Sequence, residues 1–158
     1  NIDFSNKKKQ ETITLFNKNI GYRRMSLIEK LDKDKVNHLN VDNCFDTESL
    51  INQYNKTKIL INVHQTSFHH TFEELRVLPA LLRGVIIISE NVPLKEKIPY
   101  SKYVVWSSYE KLSSTIKDVQ DNYETYYKKI FNNDLLKLLD KMKIDNFKSF
   151  NQIETFIK

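Results

Sequence analysis

The side chains best suited to chemistry lie in one short segment, which follows the apolar run Ile59–Val63. Imidazole, amide, carboxylate and guanidinium groups occur there together, and such groups bind phosphate and hydroxyl oxygens or transfer protons. The members are His64, Gln65, His69, His70, Glu73, Glu74 and Arg76. Ligands of parallel α/β sheets bind beyond the carboxyl ends of the strands, so a polar loop after an apolar run predicts a ligand site.

A second candidate lies in the loop Asn17–Arg24, where Gly21 precedes a helical pattern. A glycine lets the backbone approach a bound group, and a helix N-terminus offers free N–H groups to a phosphate. Arg23 and Arg24 add guanidinium groups, each of which can bind two phosphate oxygens at once. The spacing matches neither the G-x-G-x-x-G dinucleotide motif nor a P-loop. The alternative is that both arginines are solvated in the first turn of the helix.

Alternatives remain open for several of these residues. Thr71 and Glu74 have the spacing of a helix capping box, which would make Glu74 structural. Two histidines and two glutamates lie close together in the sequence, which suggests a metal site as an alternative. The H-E-x-x-H and H-x-x-E-H spacings are absent, however, and we expect no metal. Glu90 follows the apolar run Val85–Ile88, and either accepts hydrogen bonds from ligand hydroxyls or faces solvent.

These candidates are placed along alternating strand and helix patterns. The predicted strands are Thr12–Phe16, Val36–Val41, Ile59–Val63, Val85–Ile88 and Lys102–Trp106. The predicted helices between them are Tyr22–Leu31, a segment capped by Asp46 or Thr47 that runs to Tyr54, and a segment from Thr71 to the turn at Gly84. Three more helices, at about 112–130, 135–142 and 147–157, are expected to cover the sheet. The alternation predicts an α/β fold with a doubly wound, mainly parallel sheet of about five strands and helices on both faces.

Length and composition favour one ordinary domain. The chain has 158 residues and a single cysteine, Cys44, which cannot pair within the chain and so favours a reducing, cytoplasmic environment. No apolar run reaches the roughly 20 residues of a membrane span, and no signal peptide is visible. The net charge of +5 is spread along the chain, so we expect no nucleic-acid partner. Because the chain begins at Asn1 rather than methionine, we expect a fragment of a longer protein.

The central block resembles the C-terminal, nucleotide-sugar-binding domain of GT-B glycosyltransferases. The residues that carry the resemblance are 61–90, INVHQTSFHHTFEELRVLPALLRGVIIISE. They are similar to a bacterial and large-virus group whose members have the order strand, N-x-H, loop, F-E-x-x-R, helix, strand, S-E. The upstream residues 21–31, GYRRMSLIEKL, are similar to a turn and helix of the same group. The similarity spans residues 12–131.

The resemblance implies a Rossmann-like fold, in which residues 1–131 form the donor-binding domain and residues 132–158 a helical extension packed on it. It implies a glycosyltransferase that binds a nucleotide-diphosphate sugar, needs no metal or other cofactor, and has its acceptor-binding domain upstream or in trans. His64 is then the catalytic candidate. The donor-binding candidates are Gly21, Tyr22, Arg23, Arg24, Gln65, His70, Glu73, Glu74, Arg76 and Glu90.

Some questions stay open in the sequence. Pro79 stands where the widespread retaining members of the family have a second glutamate, so a retaining or an inverting reaction cannot be assigned. One alternative function is a non-catalytic α/β interaction module that retains the fold. A different nucleotide or phosphosugar enzyme on the same α/β layer is another, but no Asp-rich strand end or Tyr-x-x-x-Lys pair supports it.

Overall fold

Five strands form one parallel sheet in the computed structural model, which describes residues 2, 4, 9–16, 21–42, 44, 46–68 and 70–157, with side chains up to residue 149. The strands are β1 (Glu11–Thr14), β2 (Leu39–Asn40), β3 (Thr57–Asn62), β4 (Ile86–Glu90) and β5 (Val105–Ser107). Their order across the sheet is β2-β1-β3-β4-β5. The predicted α/β class with a Rossmann-like, parallel sheet is therefore confirmed.

The two central strands have continuous apolar sequences because both of their faces are covered. Ile59, Leu60 and Ile61 of β3 pair in register with Ile86, Ile87 and Ile88 of β4, and all six side chains are buried. Each such side chain contributes about 1.5–3 kcal/mol to stability through removal of its surface from water. These two strands thus form the centre of the hydrophobic core.

Helices cover both faces of the sheet. They are α1 (Gly21–Lys33), α2 (Thr47–Tyr54), α3 (Glu74–Leu81), α4 (Leu112–Asp121), α5 (Tyr123–Ile130) and α6 (Asn133–Ile157). α1 contacts α4, and α2 contacts α3. The predicted cap of α2 is confirmed, since the Asp46 carboxylate accepts a hydrogen bond from the Ser49 backbone N–H at 2.8 Å.

The chain reverses its direction across the sheet between β1 and β3. From β1 it passes through α1 outward to β2, and from β2 it returns past β1 to β3 and continues to β4 and β5. The connections that follow β1 and β3 therefore lead to opposite sides of the sheet, and the carboxyl ends of these two strands border a crevice. This crevice is the topological switch point, where ligands of doubly wound sheets bind.

Several predicted boundaries were wrong. The fifth strand begins at Val105 rather than Lys102, because Ser101–Tyr103 forms a 3₁₀ turn. The second strand is reduced to Leu39–Asn40. The predicted helix at 112–130 breaks at Asn122, whose side-chain amide donates to the Asp118 carbonyl and competes with the helix.

The C-terminal residues form one helix rather than the two predicted. No glycine or proline occurs within α6 to interrupt it. Its first turns pack on the core through the buried Leu135 and Leu139, directly after the predicted boundary at residues 131/132. Within the described residues, no helix has the length and apolarity to cross a membrane.

Both glycines of the chain adopt positive φ, but their surroundings differ. Substitution Gly84→Ala would place a Cβ 2.9 Å from Phe4 Cα, whereas Gly21→Ala would place one 3.6 Å from the Gln65 carbonyl oxygen. Backbone strain costs about 1–2 kcal/mol at either position. We expect Gly84→Ala to lower the free energy of unfolding by about 1 kcal/mol more than Gly21→Ala, because of this added clash. Urea denaturation measures both; equal losses would contradict the close packing of Phe4 on Gly84.

Candidate functional site

Charged side chains from four segments meet at the carboxyl edge of the sheet. Arg23 and Arg24 lie in the first turn of α1, His64 follows β3, Glu73 precedes α3, and Glu90 ends β4. The structure thus brings together residues that are up to 67 positions apart in the chain. The contacts divide into two networks, one around Glu90 and one around Glu73.

The first network neutralises a buried carboxylate. Glu90 is 7% exposed and accepts two hydrogen bonds from the Arg23 guanidinium, one of them from Nη1 at 2.7 Å. A third donor is the His64 backbone N–H, 3.2 Å from Glu90 Oε2. Arg23 also lies 4.0 Å above the centre of the Tyr109 ring, and the Tyr109 hydroxyl donates to the Arg23 carbonyl at 2.6 Å. Arg23 is therefore held by contacts on three sides.

The second network ties α1 to the start of α3. The Arg24 side chain is 5% exposed and donates from Nε and Nη2 to the Val63 carbonyl, at 3.1 and 2.7 Å. Its Nη2 also donates to Glu73 Oε1 at 2.7 Å, and Glu73 forms a further ion pair with Arg76. Burial lowers the pKa of Arg24, and the attraction of Glu73 opposes that shift. Neither arginine is a solvated residue of the first helical turn, so that alternative is wrong.

His64 is enclosed between the two networks. Its side chain is 2% exposed, and its Nδ1 lies 3.4 Å from Glu90 Oε2. Among the described residues neither ring nitrogen has a hydrogen-bond partner. The ring of the exposed His70 packs edge-on against it with centroids 5.4 Å apart. Burial lowers the pKa of His64, while the Glu90 carboxylate opposes the shift.

The predicted capping box does not form. α3 begins at Glu74 with Glu73 at its N-cap, and no side chain caps the helix there. Glu73 instead forms ion pairs with Arg24 and Arg76, and Glu74 accepts a hydrogen bond from the Tyr100 hydroxyl at 3.1 Å. Tyr100 is fully buried, and a buried hydroxyl needs a partner. A tertiary contact thus uses the Glu74 carboxylate, which the local pattern had assigned to the capping box.

Most of the predicted donor-binding residues line one of two separate hollows. The first, which we name the Gly21 hollow, has a volume of about 470 Å³ and lies at the switch point. Its lining residues are Gly21, Tyr22, Arg23, Ser26, Gln65, Thr66, Ser67 and Tyr109. The second, the Arg24 hollow, has a volume of about 240 Å³ and includes Arg24 and Arg76 among its lining residues.

The remaining candidates lie outside both hollows. Glu73 and Glu74 line a wider groove between α3 and α6. Glu90 does not face solvent, so that alternative is wrong, and both of its oxygens are used by Arg23 and His64. His69 lies outside the described residues. The described residues hold no group of three or more histidine, cysteine, aspartate or glutamate side chains that would bind a metal ion.

Tyr109 is a residue of the site that was not predicted from the sequence. Its ring and hydroxyl both contact Arg23, and it lines the Gly21 hollow. One signal was present, since Tyr109 follows the last strand by two residues and so belongs to the same carboxyl edge as the other candidates. Burial raises its pKa, which keeps the hydroxyl protonated as a donor.

We expect Glu90→Gln to destabilise the protein by about 2–3 kcal/mol, because Arg23 then keeps a largely buried charge without its counterion. The control Glu74→Gln changes an exposed carboxylate whose hydroxyl donor can still bond to the amide, and we expect a loss within about 0.5 kcal/mol. In the double variant Arg23→Met/Glu90→Gln the total loss should be smaller than the sum of the single losses. Chemical denaturation measures the coupling; additive losses would contradict the pairing.

Because His64 is buried, the stability of the protein is expected to depend on pH. The unfolded chain binds a proton on this imidazole near pH 6.5, whereas the folded chain binds it only at lower pH. The contribution of the neutral, buried imidazole to the free energy of unfolding is therefore complete above pH 6.5. It is lost as the pH falls below that value, by up to about 1.4 kcal/mol per pH unit. We expect wild type to lose more stability than His64→Gln between pH 7.5 and 5, measured by urea denaturation. A constant difference between the two proteins would refute this.

The similarity of the chain to known proteins identifies no family. No protein-family model matches the chain, and no solved structure matches it. The chain is similar to the uncharacterized protein R358 of Acanthamoeba polyphaga mimivirus, with 28% identity over 137 residues. The match covers 84% of this chain and 46% of R358, so the chain spans about half the length of that relative.

Proposed function

We propose that this chain is the donor-binding domain of a GT-B-type glycosyltransferase and binds a nucleotide-diphosphate sugar. The observation that carries the proposal is the Gly21 hollow at the switch point of a parallel sheet, where the first turn of a 13-residue helix meets the loop after β3. The sequence resemblance of residues 61–90 supports the same function.

The lining of the Gly21 hollow suits a phosphate-bearing ligand. The first N–H groups of α1 have no partners within the helix and carry partial positive charge. Gly21, with φ of +73°, brings this turn close to the Gln65 backbone without a side chain in between. Ser26, Ser67 and Gln65 add neutral hydrogen-bonding groups, while Arg23 adds a positive charge.

Internal carboxylates balance most of the charge of the two networks. Arg23 is paired with Glu90, and Arg24 and Arg76 are paired with Glu73. The Arg23 guanidinium and the first turn of α1 are therefore the positive groups available to an anion in the Gly21 hollow. Stabilisation of a leaving diphosphate by fixed cationic groups and a helix N-terminus is the electrostatic contribution that glycosyl transfer requires.

The catalytic role of His64 stays a prediction. Its ring is enclosed by Glu90 and His70 and is not among the lining residues of the Gly21 hollow. Its backbone already has a defined role, because its N–H bonds to Glu90 and its carbonyl lies 3.4 Å from Arg23 Nη1. His64 therefore positions the Arg23–Glu90 pair in the conformation described.

An acceptor-binding domain is part of the proposal. The matched region is 46% of R358, so that relative has residues for a further domain outside the match. We propose that an acceptor-binding domain, upstream or in trans, closes over the carboxyl edge of this sheet.

One observation favours the alternative of a non-catalytic interaction module. Arg23 and Arg24 are each bonded to an internal carboxylate, so both have structural roles that need no ligand. Tyr22 and Phe68, each 88% exposed, offer apolar surface to a partner protein beside the hollow. The two functions differ in one measurable respect, which is the binding of nucleoside diphosphates.

The substitution Gln65→Glu tests the donor site with one added charge. We expect it to weaken the binding of nucleoside diphosphates about tenfold, because a carboxylate within about 5 Å of a diphosphate costs 1 kcal/mol or more. The matched control is Gln10→Glu, an exposed residue just before β1 and thus at the opposite end of the sheet. Isothermal titration calorimetry with nucleoside diphosphates and nucleotide sugars gives the affinities.

Two outcomes would contradict the proposal. The first is no binding of any of these ligands at millimolar concentration, which would favour the interaction module. The second is equal weakening by Gln65→Glu and Gln10→Glu, which would show that the ligand responds to total charge rather than to the Gly21 hollow.

A further inference from the structure

The Arg24 hollow has apolar walls and a polar edge. Leu15 follows β1, Val41 follows β2, Leu50 lies in α2 and Leu75 in the first turn of α3. The polar edge consists of Arg24, Asp42 and Arg76, with Cys44 beside them. The volume of about 240 Å³ is below the roughly 300–1,000 Å³ of sites that enclose whole small molecules. The hollow therefore suits one ring system of a larger ligand.

The aliphatic walls favour a flat, apolar face of that ring. Leu75 is 93% exposed although it is a leucine at the mouth of the hollow. A ring placed between Leu75 and the other aliphatic side chains would remove this surface from water. The ligand group thus has two apolar faces and a polar circumference, as a nucleobase has.

The polar edge is electrically balanced. Two guanidinium groups, of Arg24 and Arg76, are accompanied by two carboxylates, of Glu73 and Asp42. A free phosphate would therefore gain little electrostatic binding energy in this hollow. The lining of this hollow instead includes both N–H donors and a carboxylate acceptor, which fits a neutral ring that carries both acceptors and N–H groups.

Asp42 and Arg24 retain unused hydrogen-bonding capacity. Within the part of the chain that the structure describes, Asp42 has no hydrogen bond or ion pair. Arg24 Nε and Nη2 make the bonds to Val63 and Glu73, and its Nη1 makes none to a described residue. Arg76 pairs with Glu73 through Nη1 and is partly exposed, so other N–H groups of its fork remain available.

We propose that the Arg24 hollow is the base subsite of the donor and that it prefers guanine. A carboxylate binds two adjacent N–H groups, and N1–H and N2–H of guanine are such a pair. A guanidinium binds two adjacent acceptors, and O6 and N7 of guanine are such a pair. Adenine, cytosine and uracil lack one or both of these pairs. Asp42 and the arginines therefore match guanine on two edges.

This inference rests on the proposed function, since it names the base of the nucleotide whose phosphates bind in the Gly21 hollow. The two hollows are lined by consecutive residues, Arg23 and Arg24, whose Cα atoms are about 3.8 Å apart in any trans chain. The two subsites thus lie beside the same turn of α1, and we infer that a single nucleotide contacts both.

Calorimetric titration of the chain with four nucleoside diphosphates tests the base preference. We expect guanosine diphosphate to bind about tenfold more tightly than inosine diphosphate, which lacks N2–H, and more tightly than adenosine or uridine diphosphate. In Asp42→Asn the preference for guanine over inosine should disappear, and xanthosine diphosphate should gain affinity because the new amide donates to its O2. The matched control Asp140→Asn, in the exposed part of α6, should keep the wild-type preference.

Cys44 reports on occupancy of the hollow itself. It is the single cysteine of the chain and lines the Arg24 hollow, so labelling by Ellman's reagent is specific. We expect guanosine diphosphate at saturation to slow the labelling of Cys44 about tenfold or more, and pyrophosphate at the same concentration to leave the rate unchanged, because only the base enters this hollow.

The outcomes separate the two proposals. Equal binding of all four diphosphates, or guanosine diphosphate binding without protection of Cys44, overturns the base subsite and leaves the donor site standing. A guanine preference that survives in Asp42→Asn also overturns it. Absence of binding by every nucleotide overturns both proposals.

Discussion

A buried carboxylate at the end of β4 organises the carboxyl edge of the sheet. Glu90 lies at the last position of β4 with its side chain 9% exposed, and a carboxylate in such a place is stable only when donors surround it. Arg23 and the His64 backbone supply those donors. Because the donors belong to α1 and to the loop after β3, one charge holds together the two segments that border the switch-point crevice.

The neighbouring arginine makes the second connection. Arg24 bonds to the Val63 carbonyl and to Glu73, so it joins α1 to the end of β3 and to the start of α3. Successive residues of a helix point about 100° apart, since a turn contains 3.6 residues. Arg23 and Arg24 therefore serve separate networks and line separate hollows on two sides of one helical turn.

This division bears on the function. A cluster of arginines without counterions would attract many anions, whereas here most of the charge is balanced by internal carboxylates and the geometry of individual N–H groups remains to discriminate among ligands. The proposed ligand, a nucleotide sugar, has a charged phosphate part and a flat base part, and of the two hollows one lies at a helix N-terminus and the other has aliphatic walls. The interaction-module alternative uses the same ion pairs only as fold-stabilising contacts, so ligand binding separates the two functions.

Local patterns in the sequence determined the secondary-structure elements and the α/β class. Continuous apolar runs at 59–63 and 85–88, the cap at Asp46 and the turn glycines depend on neighbours in the chain, and the structure confirms the elements they predicted. Only the tertiary structure decided the strand order, the partners of Glu73, Glu74 and Glu90, and the part played by Tyr109. Those partners are far apart in the chain, and a hydrogen bond between them exists only once the sheet has brought its carboxyl ends to one edge.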